Sequence, residues 1–211
     1  MELTVQQKRF VQRLYELGGI KFGNFTLRSG RNSRWYIDLR VIQSDPQLLR
    51  LAALELAFLL RDVVYDCIAA IPVAAMTFVT MTANAVDKPM ITPRIDEKKH
   101  GTAARIDGVF KAGERVALCD DLGTTGGAKL DALVSLLKAG LVPIGIFLVF
   151  SREQGAEEEL DRHGYRVHAA ITARDALGYL HDAGVVADDI FAEIMDDWRQ
   201  GRLEAGLSIE L

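Results

Sequence analysis

The chain has 211 residues, an apolar share of 49% and a formal net charge of −4, which is enough for one well-cored domain and too little for two large ones. That acidic balance leaves no general electrostatic footprint for nucleic acid, and apolar runs such as residues 143–150 are too short to span a bilayer. The start Met1-Glu2-Leu3-Thr4 lacks the charged-then-apolar pattern of a secretory leader, so neither nucleic acid nor membrane is expected as a partner and the cytoplasm is the expected location.

The first helix is predicted to begin at Thr4, whose hydroxyl makes a capping box with Gln7, and to carry Phe10, Leu14 and Leu17 as its apolar stripe. Gly18 and Gly19 end it. Residues 20–44 alternate short strand-like pieces with turns, and Asp45-Pro46 opens a helix running to about Arg61, with proline at its first position. Residues 1–62 read as a lobe apart from residues 63–211, within one structural domain. From about residue 64 the pattern becomes strand and helix in alternation, with strands near 64–70, 89–93, 115–119, 143–150 and 166–171 and helices near 72–85, 126–139, 155–163 and 173–182. This rhythm predicts an α/β fold with a central parallel sheet flanked by helices. The helix of residues 126–139 is predicted to bury Leu130, Leu133, Val134 and Leu137, and residues 188–202, with Ile190, Phe191, Ile194 and Trp198, read as a packing helix.

One segment stands out chemically. An apolar strand, Val116-Ala117-Leu118-Cys119, runs into Asp120-Asp121 and then the small, hydroxyl-rich turn Leu122-Gly123-Thr124-Thr125-Gly126-Gly127, with Ala128 opening a helix. N–H groups at a helix N-terminus favour an anion, glycines let the backbone approach it, and threonine hydroxyls add donors. Two carboxylates would repel a bare phosphate, so the ligand must also offer hydroxyls or a metal, as a ribose 5-phosphate does. The plainer alternative is a strand end followed by a solvated, capped turn. In a parallel sheet, residues 120–127, the turn after Ile68 and the Ser151-Arg152 corner should share one crevice at the strands' carboxyl ends.

Cys67 and Cys119 lie in apolar strands and suit small buried hydrophobes. His100, His163, His168 and His181 lack zinc-site spacing, and His163 and His168 are read as structural. No metal held by protein ligands is expected.

The acidic-pair loop resembles the phosphoribosyl diphosphate (PRPP) loop of type I phosphoribosyltransferases. Other segments are similar to the orotate phosphoribosyltransferases among them: residues 22–30 (Phe-Gly-Asn-Phe-Thr-Leu-Arg-Ser-Gly), residues 35–40 (Trp-Tyr-Ile-Asp-Leu-Arg), the basic stretch of residues 94–101 ending in His-Gly, and residues 151–155 (Ser-Arg-Glu-Gln-Gly) with His163, Gly164 and His168. The last stretch resembles the transferase half of bifunctional uridine monophosphate synthases.

The resemblance implies a pentosyltransferase of de novo pyrimidine synthesis, with PRPP and orotate as substrates, Mg2+ held mainly through PRPP, a small N-terminal substrate hood, and a homodimer whose 94–108 loop completes the neighbouring active site. Asp120 and Asp121 would accept hydrogen bonds from the ribose hydroxyls, and Leu122 to Ala128, through Gly123, Thr124, Thr125, Gly126 and Gly127, would cradle the 5-phosphate. Arg94, Lys98, Lys99 and His100 would face the diphosphate, with Lys98 matching the family's catalytic lysine and His100 beside it. Arg152 would meet the orotate carboxylate. Arg28, standing where the family usually has lysine, would join Ser29, Tyr36, Ile37 and Thr124 around the base, with Arg31 as a further candidate. Three further positions differ from the family's usual pattern: Ile95 where it has lysine, Ala69 where many members have lysine, and Ser151 where aspartate is usual. A transferase for another base and a non-catalytic PRPP- or nucleotide-binding regulator are the alternatives. No fused decarboxylase is expected beyond the tail helix.

Overall fold

The computed structural model describes residues 2–27, 30–94, 106–124 and 126–208. Arg28, Ser29, Ile95, Lys98, Lys99, His100 and Thr125 lie outside the described residues.

Helix α1 (Val5–Glu16) starts on the expected capping box, Thr4 accepting from the Gln7 N–H and Gln7 accepting from Thr4, an arrangement contributing about 1 kcal/mol. Its inward residues are Phe10, Val11 and Leu14; Leu17, expected in the stripe, is instead the C-cap and is exposed. Strands β1 (Ile20–Thr26) and β2 (Asn32–Ile37) form an antiparallel hairpin, and a 3-10 turn (Leu39–Ser44) leads to α2 (Pro46–Leu60), capped by Asp45 with Pro46 in its first turn.

The main sheet takes β3 (Cys67–Ala70), β4 (Met90–Pro93), β5 (Ile106–Asp107), β6 (Arg115–Gly123), β7 (Val142–Ser151) and β8 (Val167–Thr172) in the order β5-β4-β3-β6-β7-β8. All its pairings are parallel except β4 with the short β5. Helices α3 (Met76–Ala85), α4 (Gly127–Lys138) and α5 (Ala156–Arg162) connect strands, and α6 (Ala173–Asp182) and α7 (Asp188–Glu204) follow the last one.

Strand alternation sorts the interior into two layers. Ala117, Cys119, Phe147 and Val149 face one side, with residues of α1, α2, α3 and α6, while Val116, Leu118, Ile146 and Leu148 face the other, with α4 and α5. The helices of residues 1–62 therefore share the main core and form no lobe with a core of its own; the hairpin alone has a separate sheet.

Two expectations shift. The acidic pair does not end its strand: β6 continues to Gly123 because its ladder with β7 persists, Asp120 opposite Leu148 and Gly123 opposite Ser151. Helix α4 turns a different face inward. Val134 and Leu137 are exposed, and Lys129, Ala132, Leu133 and Leu136 form the inward row, spaced as one helical face.

Candidate active site

The sheet changes direction at β3. The chain passes from β3 to β4 on one side and returns to place β6 on the other, and such a switch point opens a crevice at the strands' carboxyl ends. There Ala70 lies opposite Cys119, the Ile71 N–H donates to the Cys119 carbonyl at 3.1 Å, and the Arg152 N–H donates to the Gly123 carbonyl at 3.0 Å. The turn after β3, the acidic-pair loop and the Ser151-Arg152 corner are thus contiguous, as the parallel-sheet reading requires.

Adjacent strand residues point to opposite faces, so Asp120 and Asp121 meet different neighbours. Asp120, 6% exposed, follows Val116 and Leu118 toward α4, where its Oδ2 lies 2.6 Å from Lys129 Nζ. Its Oδ1 accepts from the Asp121 N–H at 2.9 Å. Lys129, 4% exposed, also donates to the Leu122 carbonyl. Asp121 is half-buried and accepts from the Leu122 N–H at 2.7 Å. Burial first, and then the neighbouring Asp120, push its carboxyl up to about 7 against the pull of Lys129. Lys129 escaped the sequence reading, in which helix lysines count as surface; its place three residues into a helix beginning directly after the acidic turn was the available signal.

Between strand and helix, Thr124 is exposed and Gly126 adopts φ +83°, a left-handed conformation that glycine enters without the Cβ penalty. Among the described residues no side chain caps α4, and Gly127 and Ala128 are exposed. Leu122 is half-buried, and a Cβ at Gly123 would stand 2.8 Å from Leu148, so Gly123 is required by strand packing. An exposed helix start beside hydroxyl-bearing residues is chemically an anion seat.

Across the crevice, β2 places Ser33, Trp35 and Ile37 inward and Tyr36 outward. Trp35 belongs to the core at 1% exposure. The Arg152 guanidinium lies 3.8 Å above its ring, a cation–π contact. Ile37 packs in the same core, leaving only its backbone for a base. Tyr36 stacks toward Phe25, ring centres 5.6 Å apart.

Arg152 is 3% exposed. Its Nε donates to Gln154 Oε1 at 2.9 Å, while one terminal nitrogen, Nη2, has no hydrogen-bond partner among the described residues. Burial lowers its pKa to about 10, opposed by the charge of Asp197, so it stays cationic at neutral pH. The carboxylates near it in sequence are engaged elsewhere: Glu153 accepts from the Arg174 N–H at 3.0 Å and Glu157 bonds the Ser151 hydroxyl.

The C-terminal helix secures this side. Asp197 accepts from Arg31 at 2.8 Å and from the Ser33 hydroxyl at 2.8 Å, and Arg31 also pairs with Glu204 at 2.9 Å. Arg31 is thereby tied to α7. Arg40, missed by sequence reading, pairs with Asp38 at 2.7 Å and lies within electrostatic reach of Tyr36 and Asp121. Arg94 is held by Asp107.

The remaining expectations concern structural residues. Cys67 and Cys119 are buried and free, and burial pushes the Cys67 thiol up to about 11. His168 stacks on Phe147, ring centres 5.1 Å apart, and His163 bonds the Glu159 carbonyl at 2.8 Å. Among the described residues no helix is long and apolar enough to cross a membrane.

No protein-family model matches the chain. Individual proteins do. It is 33% identical over 185 residues to an orotate phosphoribosyltransferase of Pyrococcus abyssi, covering 87% of this chain and 100% of that one. The chain belongs to the orotate phosphoribosyltransferase family. The bifunctional enzyme PyrF/PyrE of Nostoc sp. is 35% identical over 181 residues, but these cover 86% of this chain and only 38% of that protein. Among solved structures, UMP synthase of Leishmania donovani superposes with a TM-score of 0.84 at 32% identity, covering 92% of this chain and 42% of that one. The chain therefore spans less than half of these longer relatives. The type I phosphoribosyltransferase fold, with its mostly parallel sheet, is shared by the family.

Proposed function

We propose that the chain transfers the 5-phosphoribosyl group of PRPP to orotate, giving orotidine 5′-monophosphate and diphosphate in pyrimidine synthesis, the activity for which its relatives are named. The observation that carries this reading is the 3.0 Å bond from the Arg152 N–H to the Gly123 carbonyl. It joins a buried guanidinium, one nitrogen of which has no partner among the described residues, to the turn at the exposed start of α4, so one rigid unit offers a seat for a carboxylate-bearing base and a seat for a phosphate.

In this reading the 5-phosphate sits at the start of α4, on the N–H groups of residues 124–128. Asp121 accepts from the ribose hydroxyls, with Asp120 behind it. Orotate lays its carboxylate on Arg152, whose fork fits it in two places, bordered by Tyr36, Arg28 and the Ile37 backbone. A ring nitrogen of orotate then bonds to the anomeric carbon as the bond from that carbon to the diphosphate oxygen breaks, the electron pair leaving with diphosphate, which also takes up the proton lost from the ring nitrogen. Lys98, Lys99 and His100 are the cations proposed for that departing charge; Arg94 reaches it by exchanging Asp107 for the ligand. Magnesium brought with PRPP would neutralise leaving-group charge, and the Asp121 carboxylate is the oxygen donor of this chain that would suit such a hard ion. The protein is proposed to act as a cytoplasmic homodimer in which residues 94–108 complete the neighbouring site.

The test is to mix the protein with magnesium, PRPP and orotate and follow the loss of orotate absorbance. Turnover is expected. Turnover with another base alone would transfer the activity to that base, and tight PRPP binding with no turnover on any base would leave a binding protein.

A further inference from the structure

The buried ion pair beneath the sugar-phosphate turn differentiates the two neighbouring carboxylates. Both oxygens of Asp120 are already engaged, Oδ2 by Lys129 at 2.6 Å and Oδ1 by the Asp121 N–H at 2.9 Å. The same lysine reaches the Leu122 carbonyl. With side-chain exposures of 5% and 8%, Lys129 and Asp120 are screened from water, where breaking a pair leaves an uncompensated charge. Asp121 is half-buried beside it, within reach of the Asp120 carboxyl, and accepts from the Leu122 N–H with one of its oxygens at 2.7 Å.

We propose that Lys129 is a positioning residue for the PRPP turn: it fixes Asp120 and the Leu122 carbonyl beneath the turn, making Asp120 the anchor and Asp121 the carboxylate that meets the ribose. The lysine touches no reacting atom and acts through the geometry of residues 120–124. This inference rests on the transferase reading and deepens it, since the fold alone assigns the two carboxylates no separate roles. Three facts point the same way. Lys129 comes from the helix whose N-terminus forms the phosphate seat, so one rotation of α4 would move anchor and seat together. Its two acceptors lie on alternate residues of β6, one side chain and one backbone, which fixes both the position and the twist of the strand end. The strand's alternation places Asp121 on the side facing Arg40 and the hairpin, where the other substrate is proposed to lie.

The experiment compares Lys129→Met, Asp120→Asn, Asp121→Asn and the double variant Asp120→Asn/Lys129→Met for KM toward PRPP, KM toward orotate, kcat, and amide exchange over residues 120–128. Lys129→Met is expected to raise the PRPP KM about tenfold with the orotate KM changed less than about twofold. The double variant, in which neither charge is left unpaired, is expected to return to within about threefold of the parent PRPP KM. Asp121→Asn is expected to be the most impaired toward PRPP. A double variant as impaired as Asp120→Asn would make Asp120 a direct ribose ligand and overturn the proposal. So would a Lys129→Met variant that raises both KM values equally, which is the mark of general loosening. If Lys129→Met does not fold, the double variant against Asp120→Asn decides alone. Should the parent protein turn over no base, the transferase reading fails instead; faster exchange confined to residues 120–128 in the variants lacking the pair would still support the anchor, and unchanged exchange there would overturn it.

Discussion

Arg152 lies with its guanidinium 3.8 Å over the ring of Trp35, and neither side chain is more than 3% exposed. The tryptophan comes from the hairpin and the arginine from the end of β7, so this contact docks the hairpin on the main sheet and orients the guanidinium at once. An ammonium can replace the charge but neither the planar stacking nor the two-point fork. Arg152→Lys is therefore expected to raise the orotate KM by about tenfold or more while the PRPP KM stays within about twofold, checked by steady-state kinetics with each substrate varied. Equal changes in both would show that the arginine serves the fold and not the base.

Asp121 gives the stability a pH signature. Its folded pKa, about 7, lies above the ordinary carboxylate value of 3.8, so between these values the folded state binds more protons than the unfolded one, and stability falls as pH rises from about 4 to about 7. Asp121→Asn should remove that slope. Thermal midpoints at pH 5 and pH 8 should differ less in the variant than in the parent, with the variant relatively more stable at pH 8; an identical pH dependence in both would contradict the raised pKa.

Asp197 bonds Arg31 and Ser33 and faces the charge of Arg152. Asp197→Ala removes the acceptor for two partly or fully buried donors, at a cost of about 1–3 kcal/mol in stability for the unsatisfied groups. Because those donors belong to the hairpin, orotate binding should weaken more than PRPP binding. Denaturant unfolding together with the two KM values tests both halves of the statement.

The proposed exchange of loops between subunits makes a separate prediction. Lys98→Ala and Arg152→Ala should each be nearly inactive, yet after dissociation and reassociation their mixture should recover about a quarter of parental activity, since half of the dimers would pair one sound body with one sound loop in one of their two sites. Additive residual activity with no recovery would place Lys98 in the site of its own subunit. In the single variant Lys98→Ala, kcat should fall far more than the orotate KM rises.

Much of this was legible because periodicity and capping are local. The Thr4-Gln7 box, the Asp45-Pro46 helix start and the strand–helix rhythm need only neighbouring residues to be read. The acidic-pair turn could be picked out for the same reason, its glycines, threonines and carboxylates being consecutive. What escaped was set by distance in sequence. The inward face of α4 depends on how Gly126 and Gly127 set the helix phase against the sheet, so Val134 and Leu137 were assigned to the wrong side. Asp120 and Asp121 looked equivalent until β7 extended their strand. Asp197 and Lys129 gained their meaning only through partners that folding supplied, 164 residues away for Ser33, and no pattern along the chain announces such a pair.

Strand β6 has a reading frame of two. Its residues alternate without interruption between layers from Val116 to the acidic pair, so substitutions perturb one layer at a time, whereas inserting or deleting a single residue upstream of Asp120 would exchange the occupants of both layers and turn the lysine's partner toward the hairpin. The count of residues between the core and the carboxylates is therefore fixed more tightly than their identities.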